Sequence, residues 1–152
     1  MKKYILFLVV LGLFACDSKD NFKINGTIAD ANKKTLYLEH IGLVKTEVLD
    51  SVKLDKDGDF HFKGKRPQYA DFYRLRLGVS TIDFAVDSCE TITFKADGKD
   101  FGNKYSVEGS TTSATIQKLR NSINAIQAKA DALTPQMGAD ERRAKISAIE
   151  TD

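Results

Sequence analysis

From residue 22 onward, apolar and polar residues alternate in short runs. In "FKINGTI" (22–28), Phe22, Ile24 and Ile28 share one parity. In "TLYLEHI" (35–41), Leu36 and Leu38 take one face while Tyr37, Glu39 and Ile41 take the other. "TEVLDSVKL" sets Val48, Val52 and Leu54 in phase, and "DFHFKGK" sets Phe60 and Phe62 opposite His61 and Lys63. "DFYRLRLG" turns Tyr73, Leu75 and Leu77 inward and Arg74 and Arg76 outward. "TIDFAVD" contributes Ile82, Phe84 and Val86, "CETITFKAD" contributes Ile92, Phe94 and Ala96, and "KYSVEGS" closes the set. Successive side chains of a strand point to opposite faces. About eight such runs, separated by turn residues, predict a mainly β fold: an antiparallel β-sandwich with one solvated face, followed by C-terminal α-helices.

The pattern changes at "GSTTSATIQKLRNSINAIQAKADALTP". Ile116, Leu119, Ile123, Ile126, Ala130 and Leu133 are spaced 3, 4, 3, 4 and 3 residues apart. That is a helical stripe close to a heptad period. The Ser/Thr cluster at 110–113 supplies an N-cap and Pro135 a stop. "DERRAKISAIE", from Asp140, predicts a second short helix. The chain stops soon afterwards with no cap, which reads as a cut rather than a finish.

The first residues alter this picture. "MKKYILFLVVLGLFAC" places two lysines before an apolar run from Tyr4 to Ala15. The run is shorter than the roughly 20 residues needed to cross a bilayer and fits the apolar core of a signal peptide. It ends on Leu13, Phe14, Ala15 and Cys16. A small residue followed by cysteine resembles the bacterial lipoprotein cleavage site, where the thiol is acylated and becomes the mature N-terminus. Phe14 is bulkier than usual there. The predicted organisation is a signal peptide over 1–15, a tether over 16–21, a sandwich over 22–110 and a helical connector over 111–152. Cys16 is the expected lipidation site, carrying palmitate-like chains that fix the protein to a membrane of the cell envelope, facing the periplasm or the cell surface. Two or more chains give stable anchoring where one is marginal.

Composition adds exclusions. The 152 residues hold 23 basic and 21 acidic side chains, and removing Lys2 and Lys3 leaves 21 against 21. A balanced mature chain has no electrostatic basis for nucleic acid as a partner. The chain has two cysteines, Cys16 and Cys89, and no C-x-x-C. With Cys16 committed to lipid, no internal disulfide can close, and no dithiol redox centre is expected.

"LDKDGDFHFKG" (54–64) invites a calcium reading. Aligned from Asp55, oxygen ligands fall at Asp55, Asp57 and Asp59. Phe60 then takes the place of the required glycine, and Arg66 that of the bidentate glutamate. A hairpin turn explains the residues better, with Asp55 opening a type I turn and Gly58 in the left-handed position. "ADANKK" (29–34) is likewise read as a hairpin turn. His40 and His61 lie on separate strands, Asp83 and Asp87 read as solvated carboxylates, and Cys89 has acidic neighbours that disfavour a reactive thiolate. No catalytic constellation, metal or cofactor is expected.

Several of these segments together resemble a known family: the cysteine that ends the leader, "FKINGTI", "KKTLYLEHI", "VLDSVKLDKDGDFHFKG", "ITFKAD" and "YSVEGSTTSATIQKL". They are similar to the N-terminal domain of unknown function 4369 of Bacteroidota lipoproteins. That domain commonly precedes a thioredoxin-like, thiol–disulfide interchange domain. The resemblance covers roughly 22–120 and implies a structural module with no catalytic residue to transfer. The expectation is therefore a non-enzymatic, lipid-anchored module that positions a partner or a downstream thioredoxin-like domain. Its alternatives are the N-terminal fragment of a thiol–disulfide oxidoreductase, which an in-frame C-x-x-C beyond residue 152 would reveal, and a free-standing surface binding protein. The outward strand faces, rich in charge and threonine, are a poor bed for the apolar stripe. The stripe is therefore expected to be an association seam for a downstream domain or another copy, with an intramolecular hairpin against the second helix as the alternative.

Overall fold

The computed structural model describes residues 20–133. The leader, Cys16, most of the tether, Pro135 and the second helix expected from Asp140 lie outside the described residues. Eight strands form two four-stranded sheets. They are β1 (Asn21–Ala29), β2 (Thr35–Ile41), β3 (Thr46–Lys53), β4 (Asp59–Lys65), β5 (Asp71–Leu77), β6 (Ser80–Val86), β7 (Thr91–Asp97) and β8 (Tyr105–Glu108). One helix follows, α1 (Thr111–Leu133). Sheet I has the order β4-β1-β7-β8 and sheet II the order β3-β2-β5-β6. The protein is mainly β, as the alternation predicts.

The two inner faces make the core. Phe22, Ile24 and Ile28 of β1, Phe60 and Phe62 of β4, and Ile92 and Phe94 of β7 are buried against Leu36, Leu38, Tyr73, Leu75, Ile82 and Phe84 of sheet II. Edge-on ring contacts join the layers, Phe84 to Phe94 at 5.3 Å and Phe22 to Tyr73 at 5.0 Å between centroids. Ala31, Leu54 and Phe101, all from loops, complete the core.

Three features differ from the sequence reading. The segments around 30–34 and 54–58 are not hairpins. Each carries the chain from one sheet to the other, because β1 and β4 belong to sheet I while β2 and β3 belong to sheet II. A turn signal marks reversal of the chain and is silent about which strand it will pair with. The sandwich also contains one parallel pair, β1 with β7. These strands are far apart in sequence and meet only after the intervening chain has crossed between the sheets. Finally, Val48 and Val52 are not in phase. The β2–β3 register shifts between Leu38 and Glu39, so that Glu39 faces Val48 while Leu36 faces Val52. The extra residue, Leu49, is a bulge that turns the start of β3 over.

Strands β6 and β8 are the exposed edges on one side of the sandwich, and α1 lies across both. Ser110 caps the helix, its Oγ accepting from the Ser113 N–H at 3.3 Å. Ser113 is buried at 2% exposure. Its hydroxyl donates to the Ala85 carbonyl at 2.8 Å and accepts from the Ala85 N–H at 3.3 Å. One side chain thus satisfies both backbone groups of an edge strand, where the next strand would otherwise sit.

Candidate functional site: an apolar groove beside the helix

The site is built on the outer face of sheet II. The pairing registers set Glu39 beside Arg74, Arg74 beside Asp83, and Tyr37 beside Arg76. These pairings become a charged ladder across three strands. Arg74 grips Asp83 with two donors, Nε to Oδ1 at 2.6 Å and Nη2 to Oδ2 at 3.3 Å. Arg76 Nε donates to Glu39 Oε1 at 2.6 Å, and its guanidinium carbon lies 4.2 Å from the centre of the Tyr37 ring. Glu39 is 5% exposed, a buried carboxylate held by its arginine partner. From α1, Arg120 reaches Asp83 at 3.5 Å. Asp83 is therefore not the solvated carboxylate that its strand position suggested. It ties β5, β6 and the helix together. The hydrogen bond that Arg74 donates to Asp83 raises the Arg74 pKa against the opposing effect of burial.

Beside this ladder runs a groove of about 760 Å³ between α1 and the sheet. Ile41, Leu43 and Phe72 line one wall and Ile116, Leu119 and Ile123 the other, with Arg74, Asp83 and Arg120 also among its lining residues. Leu119, Ile123 and Ile126 are 61%, 56% and 67% exposed. The stripe read from sequence thus divides by position. The N-terminal half of α1 is fixed to the sandwich through Ser113, through Gln117, whose side-chain amide bonds the Tyr105 carbonyl, and through Arg120. Asn124 adds a hydrogen bond to Asn103 at 2.9 Å. Leu119, Ile123 and Ile126 lie on the same stretch of helix as these anchors and remain exposed. Leu133 closes the helix.

The outer face of sheet II is a better apolar surface than its charge pattern suggested, because Phe72 and Ile41 both stand on it. The signal was present: Phe72 is the apolar residue on the outward parity of "DFYRLRL".

The other singled-out residues lie apart from the groove. Asp55 and Gly58 form the β3–β4 arch, where Asp55 Oδ1 accepts from the N–H of Asp57 at 2.9 Å and of Gly58 at 3.1 Å. Gly58 has a φ of 72° and its carbonyl accepts from Ile28 at 2.9 Å. His61 bonds Asn25 on the adjacent strand of sheet I. His40 bonds Asp71 at 2.7 Å, on sheet II. Burial pushes the Asp71 carboxyl up, but the hydrogen bonds from His40 and the Phe72 N–H outweigh it and hold Asp71 below its ordinary value. Cys89 is exposed in the loop before β7. The Tyr105 hydroxyl is buried, and burial raises its pKa against the opposing influence of Arg120. Among the described residues, no group of three His, Cys, Asp or Glu side chains could hold a metal ion. Among the same residues, no helix is long and apolar enough to cross a membrane.

Comparison with curated proteins finds no match. Among solved structures, the crystal structure of (S)-allantoin synthase aligns at a TM-score of 0.42 and 11% identity, over 62% of this chain and 45% of that one. The chain thus spans less than half of that protein, and a likeness of this size carries no argument. A family profile described as "Domain of unknown function (DUF4369)" matches residues 22–115. This stretch runs from the first core residue of β1 into the first turn of α1. It includes both sheets and the serine cap that starts the helix, and exceeds half of the chain. The protein therefore belongs to the DUF4369 family.

Proposed function

We propose that this protein is a lipid-anchored module of the cell envelope that positions protein at a membrane and performs no chemistry of its own. Cys16 is the anchor in this reading, and the apolar seam of α1 is the surface through which the module associates. The observation that carries it is the exposure of Leu119 and Ile123 along one open groove, with exposed Ile126 continuing the same helical stripe beyond it. Large apolar side chains grouped in this way mark an interaction surface.

The occupant we assign is a second copy of the chain. The seam is symmetric about its centre. An antiparallel pairing sets Ile123 opposite Ile126, Leu119 opposite Ala130 and Ile116 opposite Leu133. A two-fold interface needs this kind of self-complementarity. Heptad-like spacing suits helices packed side by side.

The test is sedimentation of the chain from Ser18 onward, with an Ile123→Asp, Ile126→Asp variant beside it. The expected result is a concentration-dependent dimer, lost in a variant whose circular dichroism is unchanged. A wild-type chain that remains monomeric rejects the second copy. If that monomer instead binds a separate thioredoxin-like domain through the same residues, the seam belongs to that partner. The anchor has its own test: alkyne palmitate should label the wild type and fail to label Cys16→Ala, and equal labelling of the two removes Cys16 from the proposal.

A further inference from the structure

The strand pairings define two ends of the sandwich. Strand β1 starts at Asn21, opposite Lys65 at the end of β4 and close to Thr91 at the start of β7. Asp20, just before it, accepts a hydrogen bond from the Arg66 N–H at 2.8 Å. The 66–70 loop leads from there to Asp71, which pairs with Val86. In sheet II, His40 pairs with Tyr73, so the 42–45 turn that follows β2 closes the same end. The turn at Gly78 and Val79 and the arches at 30–34 and 54–58 close the opposite end.

Exposed apolar side chains are divided unequally between these ends. Leu43 and Val44, at the tip of the β2–β3 turn, are 108% and 97% exposed. Tyr69 in the 66–70 loop and Phe72 at the start of β5 are also exposed, at 77% and 54%. At the opposite end, Val79 is the one exposed large hydrophobic residue among the described residues. Neither Leu43 nor Val44 has a packing role in the core, and a β-turn is satisfied by polar residues. Folding therefore gives no reason for two adjacent, fully exposed aliphatic side chains.

From these observations we infer that the end of the sandwich bearing Asp20 is a membrane-contacting surface. Leu43 and Val44 enter the apolar edge of a bilayer and Tyr69 lies at the headgroup level. The inference rests on the Cys16 anchor, because Cys16 precedes Asp20 by four residues. A tether of that length spans at most about 14 Å, so an acylated Cys16 holds this end, and not the opposite one, against the lipid. Aromatic rings with a polar tip favour this interface. The charges nearby are of both signs, with Lys45 paired to Glu47 at 2.7 Å and Lys65 and Arg66 near Asp20. Apolar insertion, not charge, is then the attraction, and it orients a module that the acyl chains hold.

The chain contains no tryptophan, so single substitutions report without background. Val44→Trp and Val79→Trp are made in the full acylated chain and reconstituted into vesicles of phosphatidylcholine and phosphatidylglycerol containing brominated acyl chains. The expected result is a blue-shifted, bromine-quenched emission for Val44→Trp, unchanged in high salt, and an unshifted, unquenched emission for Val79→Trp. Equal quenching of both, or of neither, in vesicle-bound protein overturns the inference. Quenching of Val44→Trp that salt abolishes overturns apolar insertion. The anchor fails separately: palmitate labelling absent with Val44→Trp still quenched removes Cys16 and keeps the surface. Labelling present with Val44→Trp unquenched keeps Cys16 and removes the surface, and absence of both removes both.

Discussion

Gly58 illustrates what a single residue decides. Its φ of 72° lies in the left-handed region, and a Cβ there would strike the Ile28 carbonyl oxygen of β1. Both constraints exclude a side chain. Gly58→Val is expected to destabilise the fold by about 1–3 kcal/mol, the usual cost of a residue forced into a sparsely populated backbone region, read as a fall in the urea midpoint. An unchanged midpoint would mean that the arch relaxes freely. The glycine and its turn conformation were legible from "LDKDGD". That the turn is an arch between sheets, pressed on β1, was not, because Ile28 lies far away in sequence. Asp83 makes the same point. Its outward parity was readable, but its partners Arg74 and Arg120 come from β5 and α1.

At the scale of elements, the attachment of α1 depends on a polar contact more than on its apolar stripe. Ser113 replaces a missing strand for Ala85, and its loss leaves a buried N–H and C=O without their partner. Ser113→Ala should therefore cost about 1–3 kcal/mol, and amide exchange at Ala85 should accelerate. A substitution with no effect on either would show that water takes the place of the hydroxyl. The apolar residues Leu119, Ile123 and Ile126 contribute little to this attachment, since all three are exposed. Alternation revealed the strands, and the 3–4 spacing revealed the helix, because both periods are local. The inverted start of β3 escaped, since the bulge at Leu49 breaks the period within one run.

At the scale of the whole molecule, the two cysteines in residues 1–152 limit the thiol chemistry these residues can perform. A chain acylated at Cys16, as proposed, keeps one thiol, and a single thiol cannot cycle through an intramolecular disulfide. Insulin reduction with dithiothreitol as donor is expected to match the protein-free rate, and turnover abolished by Cys89→Ser would overturn this. Taken alone, the sequence determined the class of fold, the inner face of nearly every strand, the helix and the family, because each is written in short-range periodicity or in local motifs. Tertiary structure decided which strands pair, that β1 runs parallel to β7, and that both mid-chain turns cross between sheets. It also decided that Ile116, Leu119 and Ile123 share one groove with Phe72, and that Leu43, Val44 and Tyr69 fall at the end of the sandwich that bears Asp20. The physical reason is common to all of these. Pairing and proximity depend on which distant surfaces are buried together, and a chain of local preferences carries that information only once it has folded.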